Sequence, residues 1–356
     1  MALSGLQIFK LLPGGKKEKE ANCKQCGFPT CMAFAMKLAK GEASIDSCQF
    51  ISDELRAMLV DAGQKQQEEI VFGPELNRIK TGNETVMFRH DKTFINSTCI
   101  SVCLDSNDSN FESKLNEISS YSIERVGENF TVSAIALYDN GDFEERAQIV
   151  NEKNIPLILI SNDFKNLSAA LEKIKKSKPL VFLETTDTEK IAEISKKYEV
   201  PVVVSAKSLE ELAEISEKLL TKEIKDIVLN LDEEVNFSTI ESLTFIRRAA
   251  IEEKFKPLGF PLLMKVPQSN DIIQDAVLSS ALLCKYSNIL LLENFDKALL
   301  SGLFSLSQNI YTDPQKPLQV EAKLYEVGEV TPDSPIFITT NFALTYFAVV
   351  SELEAS

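Results

Sequence analysis

From residue 98 to residue 293, short apolar runs alternate with longer segments in which apolar residues return every three or four positions. The runs are Thr98–Leu104, Val132–Tyr138, Pro156–Ser161, Pro179–Glu184, Pro201–Ser205, Asp226–Leu231, Pro261–Val266 and Asn288–Glu293. Val, Ile, Leu, Ala and Phe dominate each run, with little polar alternation, as in a strand covered on both faces. Four of them open on Pro, which a strand tolerates at its first residue. Between them the spacing predicts helices over Leu167–Lys176, Asp187–Tyr198, Ser208–Leu220 and Ser238–Phe255. Leu209, Leu212, Ile215 and Leu219 form one apolar stripe, the face that would lie on a sheet. Eight strands separated by helices are the count of a closed (β/α)8 TIM barrel, expected over residues 95–328, with a doubly wound open sheet as the rival.

The flanks depart from this rhythm. Residues 1–57 hold a cysteine-rich module and residues 58–94 a linker and barrel-capping segment, in which Asp61–Glu69 is polar and helix-like. Beyond Tyr311-Thr312-Asp313-Pro314 come a short helix predicted over Glu321–Val327 and a ninth strand-like run, Pro335–Thr340. A closed barrel has no place for a ninth strand, so residues 329–356 are expected to begin a further domain.

Composition narrows the function. The 356 residues carry a net charge of −15, with 44% hydrophobic and 26% charged residues. Such a chain is globular and poorly matched to nucleic acid, whose phosphates reward clustered Lys and Arg. An anionic membrane surface is excluded on the same ground. No signal peptide or membrane-length apolar run is present, so a cytoplasmic location with reduced thiols is expected. There is no Trp and a single histidine, His90, which leaves little room for a histidine-based relay. A P-loop or G-x-G-x-x-G fingerprint is also missing.

Four of the seven cysteines crowd the start of the chain, at Cys23, Cys26, Cys31 and Cys48, spaced C-x2-C-x4-C-x16-C. Thiolates in such a group can wrap a cubane iron–sulfur cluster. Gly27 and Pro29 permit a tight loop, and Met32-Ala33-Phe34-Ala35-Met36 can cover the cluster as one face of a short helix stopped at Gly41. Zinc is the rival, although its structural sites usually pair two C-x2-C-like knuckles or add histidines. Disulfides are the bland alternative. Cys99, Cys103 and Cys284 lie in apolar text and read as core thiols.

The barrel itself offers polar residues where its strands end: Asp139, Asn162, Asp163, Glu184, Lys207, Asp232 to Glu234, Lys265, Glu293 and Asn294. Lys265 can pair with Glu293. No nucleophile with a base and no metal triad assembles from these, so the barrel is expected to be a docking scaffold, without catalytic residues of its own.

The segments SGLQIFKLLP, NCKQCGFPTCMAFAMKLAKGEASIDSCQF, MFRHDKTF, IRRAAIEEKFKPLGFP, QNIYTDPQKPLQVEAKLYEVG and SPIFITTNFALTYF together closely resemble the large (gamma) subunit of the corrinoid/iron–sulfur protein of the reductive acetyl-CoA pathway. The resemblance implies an N-terminal [4Fe-4S] domain, a TIM barrel and a C-terminal corrinoid-binding α/β domain. It implies Cys23, Cys26, Cys31 and Cys48 as cluster ligands, and Thr339 and Thr345 as positions approaching the cobamide. It implies a methyl carrier whose cobalt accepts methyl from a methyltetrahydrofolate or methyltetrahydropterin methyltransferase and passes it to acetyl-CoA synthase/CO dehydrogenase. The cluster, fed by a low-potential electron donor, would return the electron that cobalt occasionally loses. A heterodimer with the small subunit is implied as well, and Phe337, Phe342, Tyr346 and Phe347 are expected to expose apolar surface when the chain is alone. No D-x-H-x-x-G motif is present to ligate cobalt from below.

Two departures stand out. Gly14–Ala21 is longer than the family's usual link and is expected to be a surface loop that leaves the cluster undisturbed. The family also continues for roughly one further small domain beyond Ser356. Two other functions stay open: an electron-transfer or docking subunit without corrinoid, and a pterin-dependent methyltransferase barrel.

Overall fold

The computed structural model describes residues 5–39, 43–44, 47–52, 66–89, 91, 94–174, 177–233, 235–311 and 319–355. The predicted Gly41 stop, most of the Asp61–Glu69 segment, His90, Glu234 and Thr312 to Pro314 lie outside the described residues.

Near the N-terminus three helices, α1 (Gly5–Leu11), α2 (Pro13–Lys16) and α3 (Cys31–Ala39), surround a small core of Ile8, Leu12, Phe34 and Ala35. A two-stranded hairpin follows, β1 (Glu69–Phe72) and β2 (Ile79–Gly82), paired antiparallel. After a single strand, β3 (Cys99–Asp105), a second hairpin is formed by β4 (Ser122–Arg125) and β5 (Glu128–Thr131). Its turn residues Val126 and Gly127 have φ of 53° and 77°. Positive φ at both positions suits the twist of a tight hairpin.

The remaining strands are β6 (Ala134–Tyr138), β7 (Leu157–Ser161), β8 (Leu180–Leu183), β9 (Val202–Ala206), β10 (Ile227–Leu231), β11 (Leu262–Val266) and β12 (Ile289–Leu292). Strand β3 and these seven close into one parallel barrel, in which β12 pairs with β3 from Ile289 opposite Cys99 to Leu292 opposite Val102. All eight lie on the predicted runs. They alternate between two buried faces. Cys99, Ala134, Ala136, Ile158, Ile160, Leu180 and Phe182 fill the lumen, and the residues between them pack against the helices. Helices begin where side chains cap them: Ser208 Oγ accepts from Glu211 N at 3.2 Å, and Asp187 Oδ1 from Glu189 N at 3.0 Å.

The β1–β2 hairpin plugs the N-terminal end of the barrel. Ile70 and Phe72 join the lumen core, and Glu68 N and Gly73 N donate to Gly259 O and Lys178 O, both at 2.8 Å. Gly82 has φ +84°, and a Cβ there would stand 2.2 Å from Glu68 O. The turn therefore requires glycine.

Three expectations are corrected. The long helix after β10 runs Phe237–Ile251, short of Phe255, which instead precedes a 3-10 turn. Glu321–Val327 forms no helix. Pro335–Thr340 forms no strand: among the described residues no strand lies beside it to pair with, and Ile338 is 96% exposed. The chain instead enters a helix at Ala343–Ala355.

Candidate metal centre

Cys31 is the first residue of α3, and Cys48 lies in a short turn beyond it. Phe34 and Ala35 fix α3 against Ile8 and Leu12 of the opening segment, and Phe28 packs on Phe34 with ring centroids 5.6 Å apart. The loop holding Cys23 and Cys26 turns sharply, with φ of 56° at Asn22, 63° at Lys24 and 81° at Gly27. This folding brings Cys23, Cys26, Cys31 and Cys48 onto one small cavity, together with Leu12, Phe28 and Phe34. Cys23 is exposed, Cys26 and Cys31 are half-buried and Cys48 is buried. Burial raises the Cys48 thiol, the neighbouring thiols of Cys26, Cys23 and Cys31 add to the rise, and the Phe50 N–H opposes it.

Among the described residues, no three His, Cys, Asp or Glu side chains converge tightly enough to hold one metal ion. Zinc gathers its thiolates at about 2.3 Å from one centre. A cubane spreads them, because each thiolate binds a different iron. Four thiols on one cavity are a donor set that suits a cubane.

Two contacts at this site escape sequence reasoning. Asn22 Oδ1 accepts from Cys31 N at 2.8 Å, while Asn22 N donates to Cys31 Sγ at 3.3 Å. Gly14 is not in a surface loop: it lies in α2, and a Cβ there would meet Cys31 Cβ at 2.6 Å and Cys31 Sγ at 3.1 Å. Pro13 at the start of this turn presets its backbone, and a side-chain-free Gly14 lets the turn press on α3. The only sequence signal for either contact is a Pro-Gly-Gly run and an Asn directly before the first cysteine.

The C-terminal mouth of the barrel is tied up internally. Lys265 Nζ bonds Glu184 Oε1 at 2.9 Å, not Glu293, because Lys265 lies over the rings of Phe182 (4.7 Å) and Tyr138 (5.7 Å). Glu293 instead accepts from Gln268 N at 3.1 Å. Asp139 accepts from Ser161 Oγ at 2.6 Å and Asn166 Nδ2 at 2.9 Å. Ser205 Oγ donates to Asn230 Oδ1 at 2.8 Å. Glu184, Ser205, Asp232 and Lys265 line an open hollow there. Burial pushes Cys99 and Cys103 up to about 12, as suits core thiols.

Thr339 and Thr345 are both exposed, Thr339 in extended chain and Thr345 in the first turn of Ala343–Ala355. Phe337 and Phe347 are exposed, as expected, whereas Phe342 and Tyr346 are half-buried. Tyr346 packs on Tyr325 with ring centroids 4.6 Å apart.

Comparison with known proteins agrees with this geometry. The family described as the CO dehydrogenase/acetyl-CoA synthase delta subunit matches residues 69–356, and an Fe–S cluster family matches residues 20–50. The chain is 36% identical to the corrinoid/iron-sulfur protein large subunit of Moorella thermoacetica, over 100% of this chain and 80% of that protein. It is 32% identical to the acetyl-CoA decarbonylase/synthase complex subunit gamma of Methanothermobacter thermautotrophicus, again over 100% of this chain and 80% of the relative. Among solved structures, dihydropteroate synthase from Thermus thermophilus covers 62% of this chain and 97% of its own, at 12% identity and a TM-score of 0.43.

Proposed function

Since the chain belongs to the family of corrinoid/iron–sulfur protein large subunits, we propose that it is the cluster-bearing subunit of a methyl carrier in the acetyl-CoA pathway. The observation that carries this reading is that Cys23, Cys26, Cys31 and Cys48 line one cavity. These four residues would hold a [4Fe-4S] cluster. When bound, the cluster supplies one-electron transfer at low potential. Leu12, Phe28 and Phe34 wall the site on one side, and the exposed Cys23 gives an electron donor a near approach on the other. The proposed role of that electron is to restore a corrinoid cobalt that has lost one.

The corrinoid is a different case. Two exposed hydroxyls at Thr339 and Thr345, with no cavity around them, do not enclose so large a cofactor. Two such contacts contribute about 0.5–1.5 kcal/mol each. The described residues alone do not enclose a cobamide. The proposed partners are the small subunit as heterodimer, a methyltetrahydrofolate methyltransferase, acetyl-CoA synthase/CO dehydrogenase and a low-potential electron donor.

The test compares wild type with Cys26→Ala, each given cobamide and a low-potential donor without oxygen. Cobalt is measured by elemental analysis and its reduction by absorbance. Cobalt reduction by wild type and not by the variant supports the carrier reading. Equal reduction by both removes the cluster from the role. No bound cobalt in wild type favours the electron-transfer reading.

A further inference from the structure

We infer that Asn22 is a positioning residue for the cluster, holding Cys31 in place and raising the reduction potential without being a ligand; this rests on the four-cysteine cluster reading. Asn22 and Cys31 exchange two hydrogen bonds, Cys31 N to Asn22 Oδ1 at 2.8 Å and Asn22 N to Cys31 Sγ at 3.3 Å. The pair ties the segment before the first ligand to the first turn of α3.

The backbone conformation explains why an asparagine stands here. Asn22 has φ 56°, in the left-handed region that Asn enters more readily than most residues. In this conformation its N–H points at Cys31 Sγ. The side-chain bond to Cys31 N holds the conformation, and thereby aims the main-chain donor at the sulfur.

The electronic consequence has a definite sign. Reduction adds one negative charge to the cluster and its thiolates. A donor on a ligand sulfur stabilises that charge, and hydrogen bonds to the sulfurs are among the determinants of cluster potential. Loosening the Asn22 bond therefore makes the cluster harder to reduce. It also frees Cys31 to move, so iron leaves more readily.

The experiment is an anaerobic redox titration followed by electron paramagnetic resonance, with iron loss to a chelator timed in parallel. It uses wild type, N22G and N22D. Glycine takes φ 56° without strain and keeps the N–H, but loses the acceptor. Aspartate keeps the acceptor. For N22G the ratio of reduced to oxidised cluster at the wild-type midpoint should fall about tenfold, which is about 59 mV for one electron. Its iron should also leave several-fold faster, whereas N22D should hold iron like wild type. Failure of N22G to take up a cluster that N22D retains is the extreme form of the same result. A wild-type midpoint and wild-type iron loss in N22G overturn the inference. So does iron loss from N22D as fast as from N22G. A wild-type protein with no cluster removes the underlying reading instead, and is told apart by its missing signal.

Discussion

Adding one methyl group at Gly14 should weaken cluster binding about tenfold or more. In Gly14→Ala the new Cβ would stand 2.6 Å from Cys31 Cβ, 3.1 Å from Cys31 Sγ and 3.1 Å from Phe9 Cε2. Carbon atoms pack at about 3.5–4.0 Å. Either α2 or Cys31 must therefore retreat by about 1 Å. Overpacking of this kind costs about 1–3 kcal/mol. If the retreat falls on Cys31, the whole cost is set against cluster binding, and about 1.4 kcal/mol is a factor of ten in affinity. Anaerobic reconstitution with limiting iron, read by visible absorbance and iron content, should show a loss of tenfold or more. Gly302→Ala is the control. That glycine lies in the helix Lys297–Tyr311, with nothing within 4 Å of a new Cβ. The control should load fully and gain up to about 1 kcal/mol of stability from better helix propensity. Full loading of Gly14→Ala at the wild-type rate would refute the reasoning, because it would show that α2 does not press on the ligand.

Gly82→Ala should lower barrel stability by about 1–3 kcal/mol in a denaturant titration, since alanine must bear φ +84° beside Glu68 O. Cys99 and Cys103 give a pH dependence. Their folded pKa values, about 12, lie above the ordinary value of 9.0, so the unfolded chain releases these protons first. Stability should hold below about pH 8.5 and fall as pH rises from there towards 12, and replacing both with Ala should flatten the fall in thermal melts. Lys265→Met should change stability by less than about 1 kcal/mol and leave cluster loading intact, because the Lys265–Glu184 pair is part-exposed.

The barrel was legible because each strand is covered on two faces. The run from Leu157 to Ser161 is buried throughout, so it reads as unbroken apolar text. Pro156, Pro179, Pro201 and Pro261 marked the starts of four strands. The capping hairpin was hidden, since Glu69–Phe72 and Ile79–Gly82 have only four residues each and sit in polar surroundings. Ile336 to Ile338 show the opposite failure. They have strand-like composition, but β-propensity needs a neighbour, and among the described residues no strand lies beside them. At the proposed cluster site, the cysteine spacing already marked the four candidate ligands. The Asn22 and Gly14 contacts did not, because they depend on how closely the opening turn approaches α3. That approach is a tertiary distance with no local signature.

Cys23, Cys26, Cys31 and Cys48 are proposed to bind one cubane. Iron, acid-labile sulfide and zinc, measured together on anaerobically reconstituted protein, test it most directly. About four iron and four sulfide per chain are predicted for wild type. Changing any of the four cysteines to Ala should abolish this, and changing Cys99, Cys103 or Cys284 should not. One zinc per chain with no sulfide would contradict the account.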